Sequence, residues 1–150
     1  MAKKNANIDY NLLITGAGIF ALFYFGRNIL ENLGLMSSRQ EQNALNQLAT
    51  DNYFNPNYWK QQPGALIITE SYSRQFAEII YNSYGYFNDD EAAIYGIFEQ
   101  MKTKSQVSWL SMKFQQYYNK SLLEYLRSFL NDSELAKIAA IINKLPKFNP

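Results

Sequence analysis

Neither cysteine nor histidine occurs anywhere in this 150-residue chain. The first absence removes disulfides, thiolate metal sites, a cysteine nucleophile and a thiol for lipid attachment. The second removes the usual general base near neutral pH and the commonest imidazole metal ligand. The familiar serine-hydrolase, metallohydrolase and zinc-site arrangements therefore each lack a central part. A charge excess is missing too: Lys plus Arg is 14 against 13 Asp plus Glu. No basic field is available to draw in nucleic acid, and none is expected as a partner.

What the chain does have is one long stretch without charge. Residues 10–26 read YNLLITGAGIFALFYFG, with Lys3 and Lys4 before them and Arg27 after. At about 1.5 Å per residue the run makes a helix of roughly 25 Å, slightly short of a ~30 Å hydrocarbon layer. Snorkelling of Arg27, and continuation through Ile29, Leu30, Leu33, Leu35 and Met36, would extend it. Residues 1–36 are therefore expected to form a retained membrane anchor. Leu12, Leu13, Ile14, Ile19, Phe20, Leu22, Phe23 and Phe25 would be its anchoring residues. A buried or interfacial helix and a cleaved signal are the alternatives, although no small-x-small cleavage motif follows the run. Gly16, Ala17, Gly18 and Ala21 place small residues together, with Ala17 and Ala21 four apart. Such spacing lets a second copy or another membrane helix approach closely. Lys3 and Lys4 balance Arg27 and Arg39, so the positive-inside comparison favours neither orientation.

Residues 37–64 change character. A short helical pattern around 40–49 gives way to Asn, Pro and Gly punctuation, which reads as a stalk or linker. Its cluster of Tyr53, Phe54, Tyr58 and Trp59 is out of place in a freely solvated linker. The four rings either pack onto the following domain or form a partner-contact or membrane-interface patch.

From residue 65 onward the apolar residues recur at helical spacing in five successive segments. Tyr72, Phe76, Ile79 and Ile80 share the first face, and Ile94, Ile97, Phe98 and Met101 the second. Val107, Leu110, Phe114, Tyr117 and Tyr118 mark the third. Leu122, Leu126, Phe129 and Leu130 follow, then Leu135, Ile138, Ala139, Ile142 and Leu145. Four of the starts carry a capping oxygen three residues ahead of Glu or Gln: Asn88 before Glu91, Thr103 before Gln106, Ser121 before Glu124 and Asn131 before Glu134. This is the capping-box spacing. Pro146 stops the last helix. Residues 65–150 are thus expected to form one helical head with a small core.

Two groups could carry chemistry. Asp89, Asp90 and Glu91 are the densest acidic cluster, but calcium takes six to eight oxygens and no glycine-rich loop is there to present carbonyls. They read instead as first-turn carboxylates complementing a helix dipole. No metal or cofactor is expected. The stretch 65–71, ALIITES, resembles the catalytic-glutamate motif of lytic transglycosylases. That resemblance implies Glu70 as a general acid of raised pKa, which needs no histidine. The downstream Gly-Leu-Met-Gln-like and Tyr-Asn-Ala-Gly-like segments of those enzymes are missing. Glu70 is otherwise a surface residue of the first head helix, ion-paired with Arg74 four positions on.

A broader resemblance spans residues 83–130. Asp90-Glu91-Ala92-Ala93-Ile94 is similar to the Asp-Glu-x-x-Ile opening of an annexin-type repeat. Tyr118-Asn119-Lys120-Ser121-Leu122 is similar to its Tyr-Gly-Lys-Asp-Leu segment, and Leu126-Arg127-Ser128-Phe129-Leu130 to its Leu-Lys-Ser-Glu-Leu pattern. Such a repeat consists of five short helices. It binds calcium and anionic phospholipid through a Gly-x-Gly-Thr loop, where this chain reads Tyr86-Phe87-Asn88-Asp89, and through a distant acid, where Phe129 stands. Residues 93–146 also resemble small helical domains of Bacteroidetes bacteria and their phages, where comparable modules accompany structural proteins.

The chain holds 12 Tyr and 10 Phe, more than these motifs use. Tyr81, Tyr84, Tyr86 and Phe87 crowd the end of the first head helix, and Tyr117 and Tyr118 the end of the third. Rings at helical spacing serve either as core or as a contact surface of large area and low rotamer cost. The combined expectation is an all-α protein: an N-terminal transmembrane helix, then a compact five-helix bundle resembling an annexin repeat. It would act without catalysis as a membrane-anchored structural or adaptor component. Its partners would be the lipid bilayer, capsid or other membrane proteins, and a second copy of itself. The most concrete form is a minor virion protein of a membrane-containing bacteriophage, linking lipid to the protein shell or vertex. A peptidoglycan-cleaving enzyme using Glu70 and a cellular membrane adaptor are the alternatives.

Overall fold

The structure is a computed structural model that describes residues 38–50, 52–85 and 90–150. The proposed anchor, with its small residues Gly16, Ala17, Gly18 and Ala21, lies outside the described residues, as do Tyr86, Phe87, Asn88 and Asp89. Every regular element described is helical: α1 Ser38–Thr50, short 3-10 turns at Asn52–Phe54 and Tyr58–Gln61, α2 Glu70–Asn82, α3 Glu91–Gln100, α4 Lys104–Tyr118, α5 Leu122–Arg127 and α6 Asp132–Asn143. None of these helices is long and apolar enough to cross a membrane.

The five helices anticipated from periodicity are α2 to α6, and their starts follow from local capping chemistry. Thr69, Asp90, Thr103, Ser121 and Asn131 each accept a hydrogen bond from a backbone N–H in the first turn that follows. Each such cap contributes roughly 1 kcal/mol by satisfying an otherwise orphan donor. Among these described starts, only Asn131 and Glu134 close the full reciprocal box. At α4 the Gln106 side chain instead accepts from the Lys102 N–H, and at α3 the capping residue is Asp90 rather than Asn88. The last turn of α4 ends at Asn119, which adopts a left-handed conformation with φ 53°. Asn tolerates that region better than other side-chain-bearing residues.

Helix α3 is the centre of the body. Its six consecutive residues from Ala93 to Phe98 are all buried, as expected for a helix enclosed on every side. It packs between α2 and α6. On α6 the buried set Leu135, Ala136, Ile138, Ala139, Ile141 and Ile142 is wider than one stripe, because α3 and α1 both lie against it.

That last contact changes the reading of residues 37–64. Far from standing off as a stalk, this stretch supplies Ala44, Leu48, Tyr53 and Phe54 to the same hydrophobic core as the helices that follow. The pattern Ala44, Leu45, Leu48 gives α1 an apolar stripe, and α6 offers the matching surface. Residues 65–69, expected to begin a helix, belong to no regular element, and only at their end does Thr69 take extended backbone angles before α2. Thr69 caps α2, and the stretch before it is held by long-range bonds: Leu66 N–H donates to Phe148 O at 2.9 Å, and Ser105 Oγ donates to Leu66 O at 2.6 Å.

The C-terminal tail completes the closure. The first N–H groups of α4, on Lys104 and Ser105, donate to Pro146 O and Lys147 O at 2.9 and 2.8 Å. Donors that a helix leaves unpaired at its start are thereby satisfied by the chain's own end.

Candidate functional site

Buried serines let the aromatic segment around the 3-10 turns sit close against α4. Ser108, fully buried, accepts from Trp59 N–H at 3.0 Å and donates to Asn55 O at 2.5 Å. Trp59 meets Trp109 edge-on at 4.8 Å, and Tyr58 stacks on Phe148 at 5.1 Å. Tyr53 and Phe54 are core residues, while Tyr58 and Trp59 are half-buried. The four rings therefore pack onto the helical body, and what remains of them at the surface is divided among separate contacts.

Glu70 sits in the first turn of α2 and is exposed, but it does not pair with Arg74. Its Oε2 lies 2.6 Å from Lys113 Nζ, and its Oε1 accepts from Tyr117 Oη at 2.5 Å. Arg74 instead lies over the Tyr117 ring, 5.1 Å from its centroid. The hydrogen bond from Lys113, followed by that from Tyr117, holds the Glu70 carboxyl below its ordinary pKa. Burial, and then the Glu70 bond, push the Tyr117 hydroxyl up to about 12. A glycan-cleaving acid needs the opposite shift. Among the described residues a raised carboxyl is found instead at Glu99, where burial outweighs the field of Lys144. Among the described residues no three acidic side chains gather closely enough to hold a metal ion.

The tyrosines form the most organised exposed feature. Tyr81, from the last turn of α2, lies parallel to Tyr118 of α4 at 4.0 Å and 3°, and nearly parallel to Tyr125 of α5 at 5.4 Å and 11°. Phe114 supports Tyr118 and Tyr125 from the core at 5.0 and 5.2 Å. Tyr125 Oη donates to Tyr81 O at 2.7 Å, tying α5 to α2. Lys120, in the turn between α4 and α5, places Nζ 5.6 Å from the Tyr81 ring and 5.3 Å from Tyr125. Alongside, Tyr84 meets Phe129 edge-on at 5.4 Å and is more than half exposed. Burial, then the charge of Glu78 and the neighbouring Tyr81, raise the Tyr118 pKa above the ordinary tyrosine value. Tyr81, Asn82, Tyr84, Lys120, Tyr125 and Ser128 enclose a cleft of about 550 Å³.

This ledge joins three helices. Its sequence signal was the crowding of tyrosines at the ends of α2 and α4; the contributions of Tyr125 and Lys120 had none, since neither neighbours Tyr81 along the chain. Comparison of the chain with protein-family models, curated proteins and solved structures finds no match.

Proposed function

We propose that this chain is a membrane-anchored structural or adaptor protein whose helical head docks another protein through the tyrosine ledge. The observation that carries the reading is the preassembled stack of Tyr81, Tyr118 and Tyr125 beneath Lys120, with Tyr81 reaching the surface and Tyr84 exposed beside it. Tyrosines held by stacking lose little rotamer freedom on binding and offer large area with polar tips, which is why such rings anchor protein interfaces. The uncharged run at 10–26 would hold the head at a lipid bilayer.

In its most concrete form the protein is a minor virion component of a membrane-containing bacteriophage, bridging lipid and shell. A cellular adaptor would use the same head with a different partner. The ion-paired, low-pKa Glu70 supports a structural role for that residue in either setting.

Purification from the native source tests the reading. Capsid protein and lipid together should accompany the chain, and replacing both Tyr81 and Tyr84 with Ser should release the protein partner while lipid is kept. Retention of every protein partner by that double variant would reject the ledge as the docking surface.

A further inference from the structure

A second, smaller groove, sharing no lining residue with the ledge, opens beside the non-helical stretch 66–69 and the junction of α3 with α4. Its volume is about 250 Å³, below the roughly 300–1,000 Å³ of pockets that enclose drug-sized molecules. That size suits side chains of a segment lying across it. Ile67, Ile68, Tyr72 and Phe76 line it with apolar surface. Gln100 and Lys102 supply polar groups.

The hydrogen-bonding groups here are left in a particular pattern. Leu66 N–H, Leu66 O and Ile67 O are bonded to Phe148, Ser105 and Gln106 respectively. By contrast, Ile67 N–H and both backbone groups of Ile68 make no hydrogen bond to a described residue. Gln100 donates from Nε2 to Gly96 O at 2.9 Å, while its buried Oε1 has no partner among the described residues. Lys102 is exposed and makes no ion pair among them.

We propose that this groove takes an extended peptide segment of a partner protein, running beside 67–68, seating an apolar side chain and placing an acidic residue against Lys102. A peptide backbone supplies alternating N–H and C=O groups to an unpaired stretch of main chain, with pockets for its side chains, as in strand-addition recognition. An acyl chain would fill the apolar walls but would bring no donor for Ile68 O. The charge of Lys102 selects an acidic neighbour over a basic one. This site is independent of the ledge, so either reading can fail alone.

The test uses the full chain in detergent and a library of blocked octapeptides with Leu, Ile, Val or Phe fixed at the fourth position. Bound peptides should carry Asp or Glu next to the fixed residue at least tenfold more often than Lys or Arg. The enriched peptides should shift the amide resonances of Ile67, Ile68, Gln100 and Lys102. Lys102→Glu, a surface change, should reverse the charge preference, and Ile67→Arg should abolish enrichment while the circular dichroism spectrum is unchanged. The proposal is overturned if no peptide is enriched, if the shifts fall at Tyr81 and Tyr84, or if Lys102→Glu leaves the preference as it was. It is equally overturned if dodecanoate shifts the groove amides and no peptide does.

Discussion

Lys113 Nζ lies 2.6 Å from Glu70 Oε2, joining the first turn of α2 to the second half of α4. The two positions are far apart in sequence, and the nearer cation, Arg74, is engaged with a tyrosine ring instead. The pairing sets a pH dependence. Glu70 has a folded pKa below its unfolded value, so its contribution is present above the unfolded pKa of about 4.5 and is lost as pH falls through the folded one. Glu70→Gln should flatten the acid limb of the stability curve in urea titrations at pH 3 to 6. It should also lower the Tyr117 pKa from about 12, read by ultraviolet titration, since a charged acceptor no longer holds the phenolic proton. Clearing of peptidoglycan by the wild-type chain, lost in this variant, would instead promote the enzymatic alternative.

Tyr95 is fully buried on α3, and its hydroxyl has no hydrogen-bond partner among the described residues. A buried hydroxyl left unpaired costs roughly 1–3 kcal/mol, a cost that removal of the oxygen relieves. Tyr95→Phe should therefore raise the urea midpoint, by about 1 kcal/mol in stability, with no change in helical content. A marked loss of stability would reveal a partner for this hydroxyl.

Ser108 is placed to lose more than its size suggests. Ser108→Ala leaves Trp59 N–H and Asn55 O without their partner, and each unsatisfied group costs about 1–3 kcal/mol when water cannot reach it. The expected signature is destabilisation accompanied by a change in tryptophan fluorescence, because Trp59 and Trp109 are in contact. An equally stable variant with unchanged fluorescence would show that water replaces the serine.

Because α1 and the first 3-10 turn share the core, a chain beginning at Ala65 should not fold cooperatively, whereas one beginning at Ser38 should. Within the longer chain, Leu48→Ala should cost about 2–5 kcal/mol, as for other buried leucines. Circular dichroism melts compare the three directly. A sharp transition in the chain beginning at Ala65 would restore the view of residues 37–64 as a separate stalk.

Full-length protein should resist carbonate extraction from membranes, while the chain beginning at Ser38 should remain in solution. Ile19→Asp should impair insertion by about 2.5–3.5 kcal/mol on an insertion scale. Full-length protein that stays soluble without detergent would remove the anchor.

The head helices were legible from residue order because their causes are local. The recurrence of Ile94, Ile97, Phe98 and Met101 marks one helical face, and a cap such as Asn131 reaches only to the third residue after it. At 65–69 the apolar residues resemble a helix start, but Leu66 is drawn into bonds with Ser105 and Phe148, each about 40 or more positions away. Nor does anything in the stretch 38–50 announce that α6 has a second apolar side for α1 to cover. For the candidate site, the excess of tyrosine was visible, but its arrangement was not. Tyr81, Tyr118 and Tyr125 meet only because α2, α4 and α5 converge, and Lys120 reaches their rings only because the turn at Asn119 brings it there. Periodicity and capping act over a few residues and so are written in the order of the chain. Which face meets which depends on how all the helices bury their apolar surface together, and that is decided only in the folded molecule.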